Sequence, residues 1–145
     1  MLLEFSFANF LSFKDKVTFS MVATSLKDRK ADSADTTFSA GGEVSVVLSR
    51  ACAVFGANAS GKSNLIKAMA FFKWFVMNSS KDVQAGEKIP VRSFALSASS
   101  VTEPSLFEIV ILIDEDTYRY GFETSAETVH REWLYVKAGK KRSKE

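Results

Sequence analysis

Residues 56–63 carry the side chains whose types and spacing are most suited to chemistry. They read Gly56-Ala57-Asn58-Ala59-Ser60-Gly61-Lys62-Ser63, which matches the Walker A or P-loop pattern G-x-x-x-x-G-K-S. The glycines allow a tight turn whose backbone N–H groups can surround an anion. Lys62 can neutralise the β- and γ-phosphates, the Ser63 hydroxyl can ligate Mg²⁺, and Asn58 is placed to donate to the γ-phosphate. The motif therefore predicts binding of ATP with Mg²⁺ by residues 56–63 and the following Asn64.

The sequence on either side of the motif predicts the elements that position it. Residues 51–55 form an apolar run within a predicted strand at 50–55, typical of a strand that is covered on both faces. Residues 62–78 carry apolar side chains at helical spacing, and a helix start adds unpaired N–H groups and a positive dipole end to a phosphate site. Cys52 lies in the apolar run and is expected to be a small buried residue. It is the single cysteine, which excludes an internal disulfide.

Hydrolysis needs a Walker B carboxylate at the end of an apolar strand, and one candidate is present. Residues 109–113 are apolar and are followed by Asp114 and Glu115. Residues 118–123 then alternate as another strand with no room for a crossover, which favours a hairpin turn at Asp114 over a Walker B site. The alternative, a self-contained small P-loop NTPase or kinase that uses Asp114, stays open. Gln84 is a weaker candidate for orienting water or Mg²⁺, and an ordinary loop residue is the favoured interpretation.

Most of the remaining chain predicts antiparallel β-structure, because apolar and polar residues alternate. The predicted segments are a hairpin within residues 1–23, a short strand at 44–48, an extended segment at 89–96 and a β-meander of 106–113, 118–124 and 129–136. Residues 24–43 are polar and predict a long surface loop, for which solvation is favoured over contact of its Lys27, Arg29 and Lys30 with phosphate or DNA. The predicted fold is α/β, a P-loop half-domain of strand, loop and helix over residues 50–78 with an antiparallel meander subdomain over 89–137. Residues 1–137 make one ATP-binding lobe, and 138–145 are a basic tail.

Composition limits the other classes of function. The chain has 145 residues, 46 % of them hydrophobic, and a net charge of +2, so it predicts one domain with a substantial core and gives no whole-domain argument for nucleic acid. It has no apolar run of the roughly 20 residues that a membrane span needs. Glu4 lies within the first apolar residues, which argues against a signal peptide, so a cytoplasmic location without membrane attachment is expected.

Several segments together resemble a known family. They are Asn9-Phe10-Leu11-Ser12-Phe13, Phe55 to Leu65, Tyr118 to Glu123 and Glu132-Trp133-Leu134-Tyr135. The combination resembles the N-terminal lobe of bacterial ATP-binding proteins related to RecF, SMC and ABC ATPases, often described as AAA-family ATPases, some of which belong to anti-phage defence systems. The chain departs from that pattern at Leu11, where an Arg is common.

The resemblance implies a half-site. In such proteins ATP is sandwiched in a head-to-tail homodimer, and a second lobe carries the signature motif, Walker B, the catalytic Glu and a switch His. In that family the hairpin around Asp114 is not the Walker B site, and no Leu-Ser-Gly-Gly-like segment follows the P-loop helix here. The chain is therefore expected to bind ATP but to hydrolyse it poorly by itself, with nucleic acid or an effector protein as possible further partners. A non-catalytic interaction module with a vestigial P-loop is the remaining alternative.

Overall fold

A five-stranded antiparallel sheet is the main element of the fold. The computed structural model describes residues 1–24, 36–40, 46–78 and 88–139. Among these residues the sheet has the strand order β2-β1-β5-β6-β7, and a separate hairpin pairs β3 with β4. The strands are β1 Leu2–Ala8, β2 Val17–Ser20, β3 Thr37–Ala40, β4 Val46–Ser49, β5 Ser105–Ile113, β6 Asp116–Thr124 and β7 Val129–Lys137. The helices are α1 Lys62–Asn78 and α2 Ala98–Thr102.

The predicted N-terminal hairpin and β-meander are confirmed. β1 pairs antiparallel with β2 and with β5, while β6 pairs with β5 and β7. The joint between β5 and β6 is tighter than the expected four residues, because Ile113 already pairs with Asp116 and only two residues lie between them. Asp114, the first of the two, has a φ of 54°, in the left-handed region that such tight hairpins use.

Helix α1 follows the predicted bounds and packs on one face of the sheet. Its buried residues include Phe72 and Phe75, which stack on Phe122 of β6 with ring centroids 5.6 and 4.0 Å away. Phe72 also meets Phe5 of β1 edge-to-face at 5.7 Å. Aromatic pairs at these separations add to the free energy of burial, so an aromatic core fixes α1 over β1, β5 and β6.

A second, smaller core lies on the opposite face of the sheet. Leu3 and Leu112 are buried there with Ala40 of β3 and Leu48 of β4. Strand β3 falls within the segment predicted to be a loop, and this part of the prediction is wrong. The four residues of β3 carry little local signal, and their pairing with β4 comes from the shared contact with the sheet.

The prediction of a buried strand before the loop at 56–63 is also wrong. Residues 51–57 form no strand, and every residue from 51 to 60 is exposed, including Cys52, which was expected to be buried. Phe55 is 89 % exposed. A strand requires a neighbour that satisfies its backbone, and among the described residues no strand lies beside this segment.

Two further segments differ in detail from the predictions. Residues 89–96 make no ladder with the sheet, although Ile89 is buried and its N–H bonds to the carbonyl of Ala126 at 2.8 Å. The short helix α2 lies between the predicted extended segment and the meander, where no helix was predicted. The described part of the chain is therefore mixed α/β with an antiparallel sheet, and no helix in it is long and apolar enough to cross a membrane.

Candidate functional site

The Gly56–Ser63 loop leads directly into the first turn of α1. Gly61 has a φ of +94° and is buried, and Ala59 has a φ of +62°. The carbonyl of Gly61 accepts hydrogen bonds from the N–H groups of Asn64 at 2.8 Å and Leu65 at 3.3 Å, so the helix is initiated within the loop itself. The N-terminal N–H groups of a helix and its positive dipole end favour an anion at this position.

The glycine at position 61 is required by both conformation and contact. A Cβ added there would lie 2.8 Å from Oγ of Ser12, closer than real Cβ contacts, and 3.1 Å from the ring of Phe13, which is tighter than most of them. The positive φ would strain any L side chain independently of the space available. The sequence motif has a glycine at this position. In the structure, the residues that contact it belong to the β1–β2 connection.

Lys62 is folded back over the loop. Its ammonium group donates to the carbonyl oxygens of Gly56 and Ala57, each at 2.7 Å. These two bonds hold a positive charge across the mouth of the loop, where a phosphate would need it. The lysine is therefore already on the loop side of the helix, and a bound anion would compete with the two carbonyl groups for its protons.

The connection between β1 and β2 contacts the loop. The sequence did not indicate that this connection belongs to the site. Nδ2 of Asn64 donates to Oγ of Ser12 at 2.9 Å, and Phe13 packs against Gly61. Leu11 has a φ of 51°, and its N–H bonds to the carbonyl of Arg92 at 2.9 Å. In the sequence, the Asn-Phe-Leu-Ser-Phe segment contributed to the family resemblance, but the resemblance gave these residues no role at the site.

Asn9 holds this connection in place through the hydrogen bonds of its side chain. It is buried, its Nδ2 donates to the carbonyls of Ser100 at 2.7 Å and Glu103 at 2.8 Å, and its Oδ1 accepts from the N–H of Phe94 at 3.0 Å. Asn9 thus ties residues 94–103 to the turn that touches the loop. Periodicity could not have revealed these contacts, because they join segments more than 80 residues apart.

Two hollows adjoin the loop, and their chemistry differs. A hollow of about 290 Å³ is lined by the consecutive residues 59–64 at the start of α1. A second, of about 240 Å³, lies next to it and is largely apolar, with Phe13, Phe19, Phe55 and Lys62 among its lining residues. The first fits a phosphate chain and the second fits a flat, apolar group attached to it.

The candidate catalytic residues Asp114 and Glu115 lie in the exposed turn between β5 and β6, as the hairpin interpretation predicts. The loop contacts the connection that follows the end of β1 paired with Leu106, whereas Asp114 follows Ile113 at the other end of β5. Seven residue steps of a strand separate these ends, a distance of roughly 23 Å. This separation of the two ends argues against a metal ion shared by Asp114 and Ser63. Gln84, the basic residues Lys27, Arg29 and Lys30, and residues 140–145 of the tail lie outside the described residues.

Comparison with protein families gives one match to this architecture. Residues 52–145 match the family model described as "AAA domain, putative AbiEii toxin, Type IV TA system". The chain belongs to this AAA domain family. The matched part of the AAA domain includes the Gly56–Ser63 loop, α1 and the β-meander, and the match supports a nucleotide-binding function of the ATPase type, with ATP and Mg²⁺ as the implied ligands. Neither the curated proteins nor the solved structures gave a match.

Proposed function

We propose that the AAA domain binds ATP·Mg²⁺, with the triphosphate at the Gly56–Ser63 loop. The observation that carries this proposal is the conformation of the loop, in which Gly61 turns through a positive φ directly into the N-terminus of α1 and leaves a hollow beside residues 59–64. A loop of this kind at a helix start concentrates N–H donors on one small volume. Its size and lining fit a phosphate chain.

Each side chain of the loop has a separate role in this proposal. Lys62 exchanges its bonds to Gly56 and Ala57 for bonds to the β- and γ-phosphates. The exposed hydroxyl of Ser63 ligates Mg²⁺, and Asn58 in the exposed turn of the loop donates to the γ-phosphate. Mg²⁺, when bound, offsets the negative charge that the lysine alone does not neutralise.

The base of the nucleotide occupies the apolar hollow next to the loop. Phe13, Phe19 and Phe55 supply aromatic surface there, and a purine ring is flat and polarisable. Phe55 is the most exposed of the three, so it has surface free for a ligand. The hollow adjoins Lys62, which sets the order of base and phosphates along the site.

The proposal includes hydrolysis only in a larger assembly. Asp114 lies in the β5–β6 turn and not beside the loop, so among the described residues no candidate Walker B carboxylate accompanies Ser63. The exposed apolar residues 51–55 offer an edge on which another strand can pair. The proposed ATPase therefore needs a second lobe that carries Walker B and the signature motif, and a head-to-tail homodimer that closes over the nucleotide.

Titration with a fluorescent ATP analogue tests the phosphate site. We expect saturable, Mg²⁺-dependent binding by the wild-type chain and at least a ten-fold weaker affinity for Lys62→Ala. Lys67→Ala is the matched control, because Lys67 is an exposed lysine on the same helix outside the loop, and its affinity should equal that of the wild type. Equal binding by Lys62→Ala and Lys67→Ala would contradict the proposal and favour a vestigial loop.

Competition with inorganic tripolyphosphate tests the base site separately. Phe55→Ala is expected to weaken ATP binding several-fold and to leave displacement by tripolyphosphate unchanged. Leu96→Ala removes an equally exposed apolar side chain away from the hollow, and it should alter neither ligand. Equal losses for both ligands would place Phe55 in the loop structure and not in a base site.

Turnover by the isolated chain tests the half-site. We expect phosphate release near the uncatalysed background under conditions where the analogue binds. Robust Mg²⁺-dependent turnover by a monomer of this chain would contradict the need for a second lobe.

A further inference from the structure

We infer that the backbone N–H and C=O of Thr18, on the open edge of β2, recognise the base of the nucleotide as adenine. This recognition rests on the proposed ATP site and adds the groups that select the base there. Aromatic stacking alone accepts every base, because every base has a flat π-face. Thr18 adds one donor and one acceptor at the hollow that holds the aromatic rings, so bases are distinguished there by their hydrogen-bonding edges.

The direction of the Thr18 backbone follows from the β1–β2 ladder. The N–H of Met21 bonds to the carbonyl of Leu3 at 2.8 Å, so these two residues form a hydrogen-bonded pair. The same register places Thr18 opposite Ser6, an odd number of positions further along each strand. Hydrogen-bonded and non-hydrogen-bonded pairs alternate in an antiparallel ladder, so Thr18 and Ser6 form a non-hydrogen-bonded pair. The N–H and C=O of Thr18 therefore point away from β1, toward the outer edge of β2.

These two backbone groups are open to a ligand. β2 is the terminal strand in the order β2-β1-β5-β6-β7, and within the described ranges β1 is the only strand of the sheet that pairs with it. Among the turn, loop and cap hydrogen bonds of the same residues, none involves the backbone of Thr18. Thr18 is also exposed, so a molecule in the adjoining hollow can reach its outward donor and acceptor.

Thr18 meets the apolar hollow with its backbone and not with its side chain. Its Oγ1 is 2.8 Å from Oγ of Ser6, so the hydroxyl is engaged with β1. Consecutive strand residues alternate between the two faces, and Val17 and Phe19 line the hollow from the face that packs against α1. The Thr18 side chain points to the other face, yet Thr18 lines the same hollow. The part of Thr18 that the hollow reaches is therefore the backbone at the strand edge.

The same hollow connects this edge to the phosphate loop, which identifies the occupant. Gly61, Lys62 and Thr18 all line one volume of about 240 Å³. A base whose triphosphate is held at the loop is kept close to Thr18 by its covalent link, and this raises its effective concentration there. Very short edge strands discourage pairing with another strand, and β2 has four residues. The edge at Thr18 therefore fits a tethered base better than a separate strand.

The order of groups along the β2 edge favours adenine. Thr18 presents its N–H and then its C=O, and the next outward group is the N–H of Ser20. N1 of adenine accepts a hydrogen bond and its 6-amino group donates one, so adenine matches the Thr18 pair with no further polar group on that edge. Guanine can match the pair with O6 and N1–H. Its 2-amino group then lies toward the N–H of Ser20, which is a second donor, and finds no acceptor.

Competition between base-modified nucleotides and a ribose-labelled fluorescent ATP tests this contact. 1-Deaza-ATP lacks the N1 acceptor and N6,N6-dimethyl-ATP lacks the amino donor, so we expect each to bind about ten-fold more weakly than ATP. GTP should also bind about ten-fold more weakly. 7-Deaza-ATP is the matched control, because it changes the edge of the base that Thr18 does not meet, and it should bind as ATP does. Equal affinities of 1-deaza-ATP and 7-deaza-ATP would overturn the inference.

Proline at the strand edge tests the protein side of the contact. Thr18→Pro removes an outward N–H and no ladder bond, and proline is tolerated on edge strands. We expect about ten-fold weaker binding of ATP and no loss for 1-deaza-ATP, which lacks the partner of that N–H. Thr18→Val loses the hydroxyl but keeps the backbone, and Ser20→Pro removes an outward N–H outside the hollow, so both should bind ATP like the wild type. An equal loss for Thr18→Val would assign the effect to the side chain and overturn the inference.

Inorganic tripolyphosphate separates adenine recognition from the proposed phosphate site. Its affinity should be unchanged in Thr18→Pro and lost in Lys62→Ala. Tripolyphosphate binding that depends on Lys62, together with equal affinities for ATP, 1-deaza-ATP and GTP, would keep the phosphate site and overturn adenine recognition alone. Absence of binding by both ATP and tripolyphosphate would overturn the proposed site and this inference with it. If circular dichroism shows that Thr18→Pro does not fold, the analogue series on the wild type decides.

Discussion

Oγ of Ser12 accepts a hydrogen bond from Nδ2 of Asn64 at 2.9 Å, and this contact joins the β1–β2 connection to the first turn of α1. The two residues lie 52 positions apart in the chain. The contact sits beside Gly61, where the loop turns into the helix. The N-terminal hairpin therefore helps to set the conformation of the loop proposed to bind phosphate.

A double-mutant cycle measures this link. Ser12→Ala and Asn64→Ala should each lower the free energy of unfolding slightly, and the double variant should cost less than the sum of the two. We expect a coupling of about 0.5–1 kcal/mol, since the bond is exposed to solvent. Urea denaturation of the four proteins checks it, and additive losses would show that the contact contributes nothing to stability.

The loop at Gly61 predicts opposite effects for two substitutions. Gly61→Ala forces a Cβ against Ser12 and Phe13 at a φ of +94°, and we expect a loss of about 2–4 kcal/mol together with loss of ATP-analogue binding. Ala59→Gly relieves a φ of +62° in the same loop and should leave stability unchanged or slightly higher. Thermal unfolding and analogue titration of both variants check the prediction, which equal effects of the two would contradict.

Substitution of Asn9, which lies outside the loop, should lower the free energy of unfolding substantially. Asn9→Ala leaves the carbonyls of Ser100 and Glu103 and the N–H of Phe94 without their side-chain partner in a largely buried region. We expect a loss of about 2–5 kcal/mol in the free energy of unfolding. Asn78→Ala is the matched control, because within the described part of the chain the side chain of Asn78 makes a single bond, to the carbonyl of Trp74, and its loss should stay within about 1 kcal/mol.

Replacement of Asp114 by glycine should raise stability and leave nucleotide binding unchanged. Asp114→Gly removes a side chain from a φ of 54° in an exposed turn, so the free energy of unfolding should rise by up to about 1 kcal/mol. Analogue binding should be unchanged, because the turn lies at the far end of β5. Glu115→Gly is the control, since Glu115 has no positive φ and glycine there only adds freedom to the unfolded chain. Weaker nucleotide binding by Asp114→Gly would revive its interpretation as a metal ligand.

Ionisation of Tyr120 should contribute to denaturation at alkaline pH. Burial, reinforced by donation of its hydroxyl to Glu132 at 2.7 Å, raises the pKa of Tyr120 above its usual value. The fold thus favours the neutral phenol, and this contribution is complete below about pH 10, the ordinary pKa of tyrosine, and is lost as the pH rises further. Urea denaturation of Tyr120→Phe should therefore show a shallower fall of stability above about pH 10 than the wild type. An equally steep fall for Tyr120→Phe and the wild type would contradict this prediction.

The sequence by itself determined the parts of this protein that depend on neighbouring residues. The helix at 62–78 followed from apolar spacing, the loop from glycine, lysine and serine at fixed offsets, and the meander from alternation broken by short polar joints. These patterns act over a few residues, so they are visible in the chain without its partners.

The tertiary structure decided what depends on distant pairing. The exposure of residues 51–57 follows from the absence of a neighbouring strand among the described residues, although their composition is that of a buried one. The sequence ending in Asp114 resembles a Walker B strand, and only its pairing with β6 shows that Asp114 lies in a hairpin turn. The contacts of Ser12 and Asn9 join segments that no local pattern connects. Backbone pairing and packing between remote segments set all of these features, because each needs a partner whose position only the folded chain fixes.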